Sequence, residues 1–357
     1  RDGYTSKAFE SRLYHSAFMQ PATVATVDQI LLTKFNWGHW GLVETNAGQS
    51  AVVFDEIHAY DIYTFGLILN AARELAEQGA QLCFMSATMP GFIREALVQL
   101  LEPFGGHTPV DCPEAENEQR HTLFVWGAPL ENSLPNIEAS FEEGLKTLVV
   151  VNTVDGACEL YRMVRDRIGE ENAMLFHSRF IERDRRSLEH RIVSENQRRD
   201  GFVAVVTQIV EVSLDIDYDV IFTQVAPVDA LVQRLGRVNR KGLKGLAPVH
   251  IFEADDGGLK VYGKDILHEA WKLLRNVRSG SPVRQADIAG WIETQYPREK
   301  WLQAALQATA EAQQNVQTIR RKLWQIQTLR FSNETEALWR LAQSRRERFP
   351  SFEIVPE

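Results

Sequence analysis

Cysteine is scarce in this chain: Cys83, Cys112 and Cys158 are the only three in 357 residues, and they stand far apart. Such spacing supports neither a disulfide framework nor a zinc site, and it suits a reducing compartment such as the cytoplasm. An apolar run of about 18 residues, the least a membrane helix needs, is also missing, so no span is expected. The chain opens on Arg1-Asp2-Gly3, without an initiator Met or a signal-like apolar segment, and so reads as a piece of something longer or a processed product. Nowhere does a glycine-rich loop end in Gly-Lys-Ser/Thr, so the amide cradle and lysine that hold β- and γ-phosphates are not encoded. There is no His-Asp dipeptide, and the nine histidines form no ligand cluster. A net charge of −9 disfavours a protein that coats nucleic acid, yet leaves room for a local basic track.

What is present is globular in kind. Hydrophobic residues make up 44% and charged residues 24%, and 357 residues suffice for two or three domains. The most telling stretch is Thr207-Gln-Ile-Val-Glu-Val-Ser-Leu-Asp-Ile-Asp217, followed by Gln233-Arg-Leu-Gly-Arg-Val-Asn-Arg240. Arg234, Arg237 and Arg240 recur every third residue, and guanidinium groups are planar, permanent donors suited to phosphate oxygens. From Arg234 to Lys244 there are five basic residues and no acid. Upstream, Asp55-Glu56-Ile57-His58 directly follows the apolar run Ala51–Phe54, where paired carboxylates suit a metal-bound phosphate better than a core. Ser86-Ala87-Thr88 follows a second run, Leu82–Met85. Acidic pair, Ser-Ala-Thr, then arginine segment is the order of a nucleotide-driven helicase motor.

These segments resemble superfamily 2 helicases, as motifs II, III, V and VI. Finer features are similar to the type I CRISPR-associated helicase–nuclease family: Thr26-Val-Asp-Gln29, His58-Ala-Tyr-Asp61, Asn152-Thr153-Val154, Phe176-His-Ser-Arg-Phe180 with Asp184-Arg185, and Glu211-Val-Ser-Leu-Asp215. The resemblance runs from about residue 15 to 255. It implies two RecA-like parallel-sheet lobes, the first truncated at its N-terminus, within an α/β fold carrying a helical C-terminal accessory region. It further implies ATP and magnesium as cofactors, 3′-to-5′ translocation on single-stranded DNA, and recruitment to an RNA-guided CRISPR surveillance complex. The family's phosphate cradle lies upstream of Thr26, and its metal-dependent nuclease domain precedes the helicase. Neither is in this chain, so by itself it is expected to be inactive.

Periodicity gives an organisation of 1–128, 129–256 and 257–357. Ala51–Phe54 and Leu82–Met85 read as buried strands joined by a helix with Ile62, Phe65, Leu69, Ala72, Leu75 and Ala76 on one face and Gly79 as its stop. The stretch from Pro109 to Arg120 reads as loop. Strands are expected at 148–151, 173–176, 202–206, 220–222 and 249–252, the last closing the sheet. A helix carrying Ala157, Leu160, Tyr161, Val164 and Ile168 follows the first of them. The seven arginines against four acids between Arg179 and Arg199 fit either a solvated, salt-bridged face or a DNA-facing one. Leu302, Ala305, Thr309, Ala312, Val316, Ile319, Leu323 and Ile326 form a heptad-like stripe, with small alanines pointing to close helix packing. Trp291, Trp301, Trp324 and Trp339 are expected as packing anchors.

By chemistry, Asp55 is the candidate oxygen ligand for magnesium on a triphosphate and Glu56 the general base for the attacking water. Both could instead cap the helix at Ile62. Arg237 and Arg240 match the family's phosphate-facing arginines, Arg240 in the finger role. Gln233 matches a cleft-closing position, and Asp215 a ribose-contacting acid or, alternatively, a turn acid. Arg234 could be a structural ion-pair residue. His58, Ser86 and Thr88 are assigned to coupling between the lobes. Thr26, Asn152, Thr153 and Thr207 are assigned to strand phosphates, which position a strand without reading its sequence. Each could also be a cap or turn residue. Another superfamily 2 DNA or RNA helicase, or a non-enzymatic DNA- or partner-binding product, are the alternatives.

Overall fold

The computed structural model describes residues 14, 16–35, 39–110, 117–195, 200–211 and 215–325. Cys112, Val212 to Leu214, Ile326 and Trp339 lie outside the described residues, as do the side chains of Leu323 and Trp324. Contacts divide the described residues into two compact units, one holding those up to Val110 and from Tyr296 to Gln325, the other those between.

The first unit begins with helices α1 (Val27–Thr33) and α2 (Trp40–Gly48) and is centred on a βαβ step. Strands β1 (Ala51–Phe54) and β2 (Gln81–Phe84) pair in parallel, with Ala51 opposite Gln81 and Phe54 opposite Phe84. Helix α3 (Ile62–Glu77) connects them, started by Asp61, whose carboxylate accepts the amides of Tyr63 and Thr64. It stops before Gly79, which takes φ 101°. Phe54 and Phe84 stack at 5.2 Å and enter a core with Phe65, Ile68, Leu75 and, from α4 (Gly91–Leu101), Phe92 and Leu97. The alternate positions are bare: Ala51, Gln81 and Cys83 are exposed and Val53 is 55% exposed.

A long helix, Arg298–Gln325, completes this unit. Its stripe buries Ala305, Ala308, Ala312, Val316 and Ile319 against the same core, and Trp301 lies 5.7 Å from the Phe92 ring. The approach is close because α3 offers Gly66, where a Cβ would stand 2.8 Å from the backbone of Ala308 and Thr309. Asn70 donates to the Thr309 carbonyl at 2.8 Å. Lys34, only 1% exposed, bonds Glu44 at 3.1 Å and Glu74 at 2.7 Å, while Arg320 of the long helix donates to the Lys34 carbonyl at 3.1 Å. Two cations against two carboxylates leave no uncompensated buried charge.

The second unit is a seven-stranded sheet in the order β5-β6-β4-β7-β8-β3-β9. Its strands are β3 (Gln119–Trp126), β4 (Lys146–Val150), β5 (Ala173–Phe176), β6 (Phe202–Val206), β7 (Val220–Gln224), β8 (Ala247–Phe252) and β9 (Ser281–Arg284). All neighbours are parallel except β9, which runs antiparallel along β3. Residues of β6 and β7 are buried throughout, as a central parallel strand covered on both faces requires. The helices are α5 (Leu134–Glu142), α6 (Val154–Ile168), α7 (Glu182–Glu195), α8 (Val228–Leu235), α9 (Asp256–Tyr262), α10 (Lys264–Arg275) and α11 (Gln285–Gln295). Ala157, Leu160, Val164 and Ile168 of α6 are buried as their spacing predicts. The arginines around α7 form ion pairs: Arg185 with Glu189 at 3.0 Å, Arg191 with Glu195 at 3.8 Å, and Arg179 with Asp155 at 2.9 Å.

The structure groups the chain differently from 1–128, 129–256 and 257–357. Strand β3 belongs to the second sheet, so the first unit's continuous part stops at Val110. The region after 257 is not one body: α9 to α11 pack with the second unit and the long helix with the first. Nor does β8 close the sheet, because β3 and β9 lie beyond it. Strand β3 was not read as a strand because its first half, Gln119-Arg-His-Thr122, is polar and continues the loop-like stretch before it, although Leu123–Trp126 is apolar. Strand β9 contains Pro282, which an edge strand tolerates.

Candidate nucleotide and nucleic-acid site

In the first unit, the ends of β1 and β2 are joined by backbone bonds from Met85 to the Phe54 carbonyl, 2.8 Å, and from Ile57 to the Met85 carbonyl, 3.2 Å. This brings the acidic segment beside Ser-Ala-Thr. Asp55 is exposed, and its Oδ1 accepts the Glu56 amide at 2.9 Å. Glu56 adopts φ 49° and ψ 43°, a left-handed conformation that costs a non-glycine residue about 1–2 kcal/mol. That turn redirects the chain into the short 3-10 helix Ile57–Ala59 and leaves the Glu56 side chain 45% exposed.

His58 is buried, with Nδ1 2.6 Å from Ser86 Oγ and 3.3 Å from Glu56 Oε2. Ser86 Oγ donates to the Thr88 carbonyl, an acceptor only, and accepts the Thr88 amide at 3.2 Å. The Ser86 proton is thereby committed, so His58 Nδ1 carries the hydrogen and donates toward Ser86 and the Glu56 carboxylate. Thr88 is 4% exposed and its Oγ1 has no hydrogen-bond partner among the described residues. Asp61, not Asp55 or Glu56, caps α3.

In the second unit, Arg234 is fully buried at the hub of a polar network. Its Nε donates to Glu211 at 2.8 Å, Nη1 to Thr223 Oγ1 at 2.8 Å and the Gln224 carbonyl at 3.0 Å, and Nη2 to Asn152 Oδ1 at 3.0 Å and Tyr262 OH at 2.8 Å. Arg237 is 8% exposed and donates through Nε and Nη2 to the carbonyls of Val210 and Glu211, both at 2.8 Å. Arg240 is exposed, with Nη1 3.7 Å from Asp215, whose side chain is 93% exposed. The turn bearing Arg240 is set by Asn239, fully buried at φ 47°, whose amide group donates to the carbonyls of Arg120 (3.1 Å) and Gly245 (2.6 Å). Asp217 accepts the Arg240 amide at 2.9 Å. Gln233 is half-buried on α8.

The residues assigned to strand contact separate into two kinds. Asn152 is 1% exposed, its Oδ1 held by Arg234 and its Nδ2 by the Val225 carbonyl at 2.9 Å, so its side chain is internal. Thr153 accepts the Gly156 amide at 3.2 Å as the cap of α6, and Thr207 is 1% exposed. Thr26, by contrast, is exposed at the start of α1, with no side-chain capping bond. Sequence reasoning missed Tyr262 and Asn239 as parts of the site. Asn239 was findable, since an Asn between two motif arginines suits a left-handed turn, whereas Tyr262 stands outside every motif.

Residues 143–243 match the family model described as "CRISPR-associated nuclease/helicase Cas3, C-terminal". A "Putative CRISPR-associated nuclease/helicase Cas3" of Methanocaldococcus jannaschii is 31% identical over 242 residues, 64% of this chain and 32% of that protein. The chain belongs to the Cas3 helicase family. It spans about a third of the length of the curated Cas3 relatives it matches. A crystal structure of T. fusca Cas3 with ADP superposes with a TM-score of 0.69 at 22% identity, covering 84% of this chain and 41% of that one. A "CRISPR RNA-guided surveillance complex, pre-nicking" contains a chain with a TM-score of 0.67 at 21% identity, covering 89% of this chain and 47% of its own. The two α/β units have the fold of the RecA-like lobes of Cas3. Among the described residues no group of three or more His, Cys, Asp or Glu is placed to hold a metal ion, and no helix is long and apolar enough to cross a membrane.

Proposed function

We propose that this chain supplies the helicase part of a Cas3 protein, an ATP-driven motor on single-stranded DNA that serves type I CRISPR interference. The observation that carries the reading is the His58–Ser86 bond at 2.6 Å, which joins the acidic segment to Ser-Ala-Thr and lends a donor to Glu56. Glu56, its Oε2 3.3 Å from His58 Nδ1, orients the attacking water and takes its proton. The exposed Asp55 carboxylate fits a hard cation that draws its other ligands from triphosphate and water. Magnesium held there would neutralise charge on the phosphate oxygens. Arg240, exposed on its pinned turn, is the arginine that stabilises charge developing on the γ-phosphoryl group. Arg237, anchored on two carbonyls, lines that segment. Strand contact is assigned to Thr26 and to the backbone around Thr153 and Thr207, with Asn152 holding that segment from inside. Support for the partner comes from the likeness to a chain of a surveillance complex.

The chain holds no Gly-Lys-Ser/Thr loop, so alone it is expected to turn over little ATP. The test therefore uses the complete protein with single-stranded DNA. Arg240→Ala is expected to abolish stimulated turnover while binding of a non-hydrolysable ATP analogue survives, and Glu56→Gln to reduce turnover by roughly 10²–10⁴-fold. Turnover that neither substitution changes would overturn the reading. Stimulation by RNA and not DNA would replace the substrate class.

A further inference from the structure

Tyr262 lies on α9, outside every helicase motif, yet its hydroxyl reaches the middle of the arginine network. Arg234 has five N–H donors, and Glu211, Thr223, Gln224, Asn152 and Tyr262 supply one acceptor each. Tyr262 accepts from Arg234 at 2.8 Å and donates to Glu211 Oε1 at 3.3 Å, closing a three-membered ring of bonds. The same residue, Glu211, receives Arg237 on its backbone carbonyl, with Val210 beside it. One short segment, 210–211, is thus gripped through its carboxylate by Arg234 and Tyr262, and through its carbonyls by Arg237.

We propose that Tyr262 is a positioning residue for the arginine segment: it fixes Glu211, and through the 210–211 carbonyls it sets the direction of the Arg237 guanidinium. This rests on the motor reading given above. The hydroxyl is the only group on α9 reaching Arg234 among the bonds described, and without it one buried guanidinium N–H and one lone pair of the Glu211 carboxylate lose their partner. Buried donors left open in this way are costly, so the ring reorganises and does not simply stand with a gap. Burial holds the phenol proton up to about 12, so the hydroxyl donates and accepts throughout the physiological range.

Tyr262→Phe keeps the ring and removes only the hydroxyl. In the complete protein, steady-state ATP turnover with single-stranded DNA is expected to show kcat lowered roughly tenfold, with KM for ATP within about twofold of wild type. A fall in thermal midpoint with kcat unchanged would make Tyr262 a packing residue and overturn the proposal. Hydrogen exchange in the chain itself forms the second arm. Amides 207–211 are expected to exchange faster in the variant while those of β6 stay protected, and equal exchange in both segments would overturn the proposal. Wild-type protein that turns over no ATP would sink the motor reading, and exchange alone would then decide the role of Tyr262.

Discussion

At the scale of single residues, the motifs name segments but do not say which side chains face outward. Asn152 and Thr26 were both read as strand contacts, because each is a small polar residue in a motif-like place. One is locked on Arg234 and the other is exposed without a capping bond. Asn152→Ala is accordingly expected to cost about 1–3 kcal/mol of stability, since it opens a buried guanidinium donor. Thr26→Ala is expected to leave the unfolding midpoint unchanged and weaken single-stranded DNA binding. Denaturant titration paired with a binding isotherm for each variant checks both, and a stable Asn152→Ala protein with impaired binding would reverse the assignment. Asp55, Glu56 and Arg240, assigned from the motifs to the nucleotide site, all keep side chains open to solvent. Arg234 was legible only as an ambiguity, because its burial is set by a strand ten or more residues away.

At the scale of elements, continuous apolar runs announced β1, β2 and β4 to β8, while β3 was missed behind its polar first half and β9, at the sheet edge, because of Pro282. The aromatic stack on β3, β7 and β8 shows what that hid. His250 lies 4.6 Å from the Phe222 ring and 5.0 Å from Phe124, and its Nδ1 accepts the Trp126 indole N–H at 3.2 Å. Burial depresses the imidazole to about 4. With the folded value below the unfolded value of about 6.5, its contribution is fully present above pH 6.5 and is lost as pH falls toward 4. His121, whose pKa is also lowered by burial, adds in the same direction. Unfolding midpoints at pH 7 and pH 5 should therefore differ less in His250→Phe than in wild type; an unchanged difference would assign the acid sensitivity elsewhere. In the first unit, the bare positions of β1 and β2 leave, among the described residues, a two-stranded parallel sheet covered on one side only. Amides of β1 are expected to exchange faster than those of β4, which sits between two partners.

At the scale of the whole molecule, the heptad-like stripe of the long helix was visible in the sequence, but its destination was not. Nothing in residues 298–325 names α3 as the partner; the complement is Gly66, where only a missing side chain admits the Ala308 backbone. A chain ended after Gln295 is expected to lose exchange protection across α3 and α4 while β4, β6 and β7 keep theirs. Equal protection of α3 with and without the long helix would contradict this. The crossing also has a bearing on time. Asn70 and the carbonyl it bonds are separated by 239 residues. A ribosome adding roughly 5–20 residues per second needs on the order of 10–50 s to cover that interval. During it, the nascent first unit carries an open groove over Gly66 while the second unit, continuous in sequence, can already close. The half of the molecule that is made first is therefore the half that finishes last.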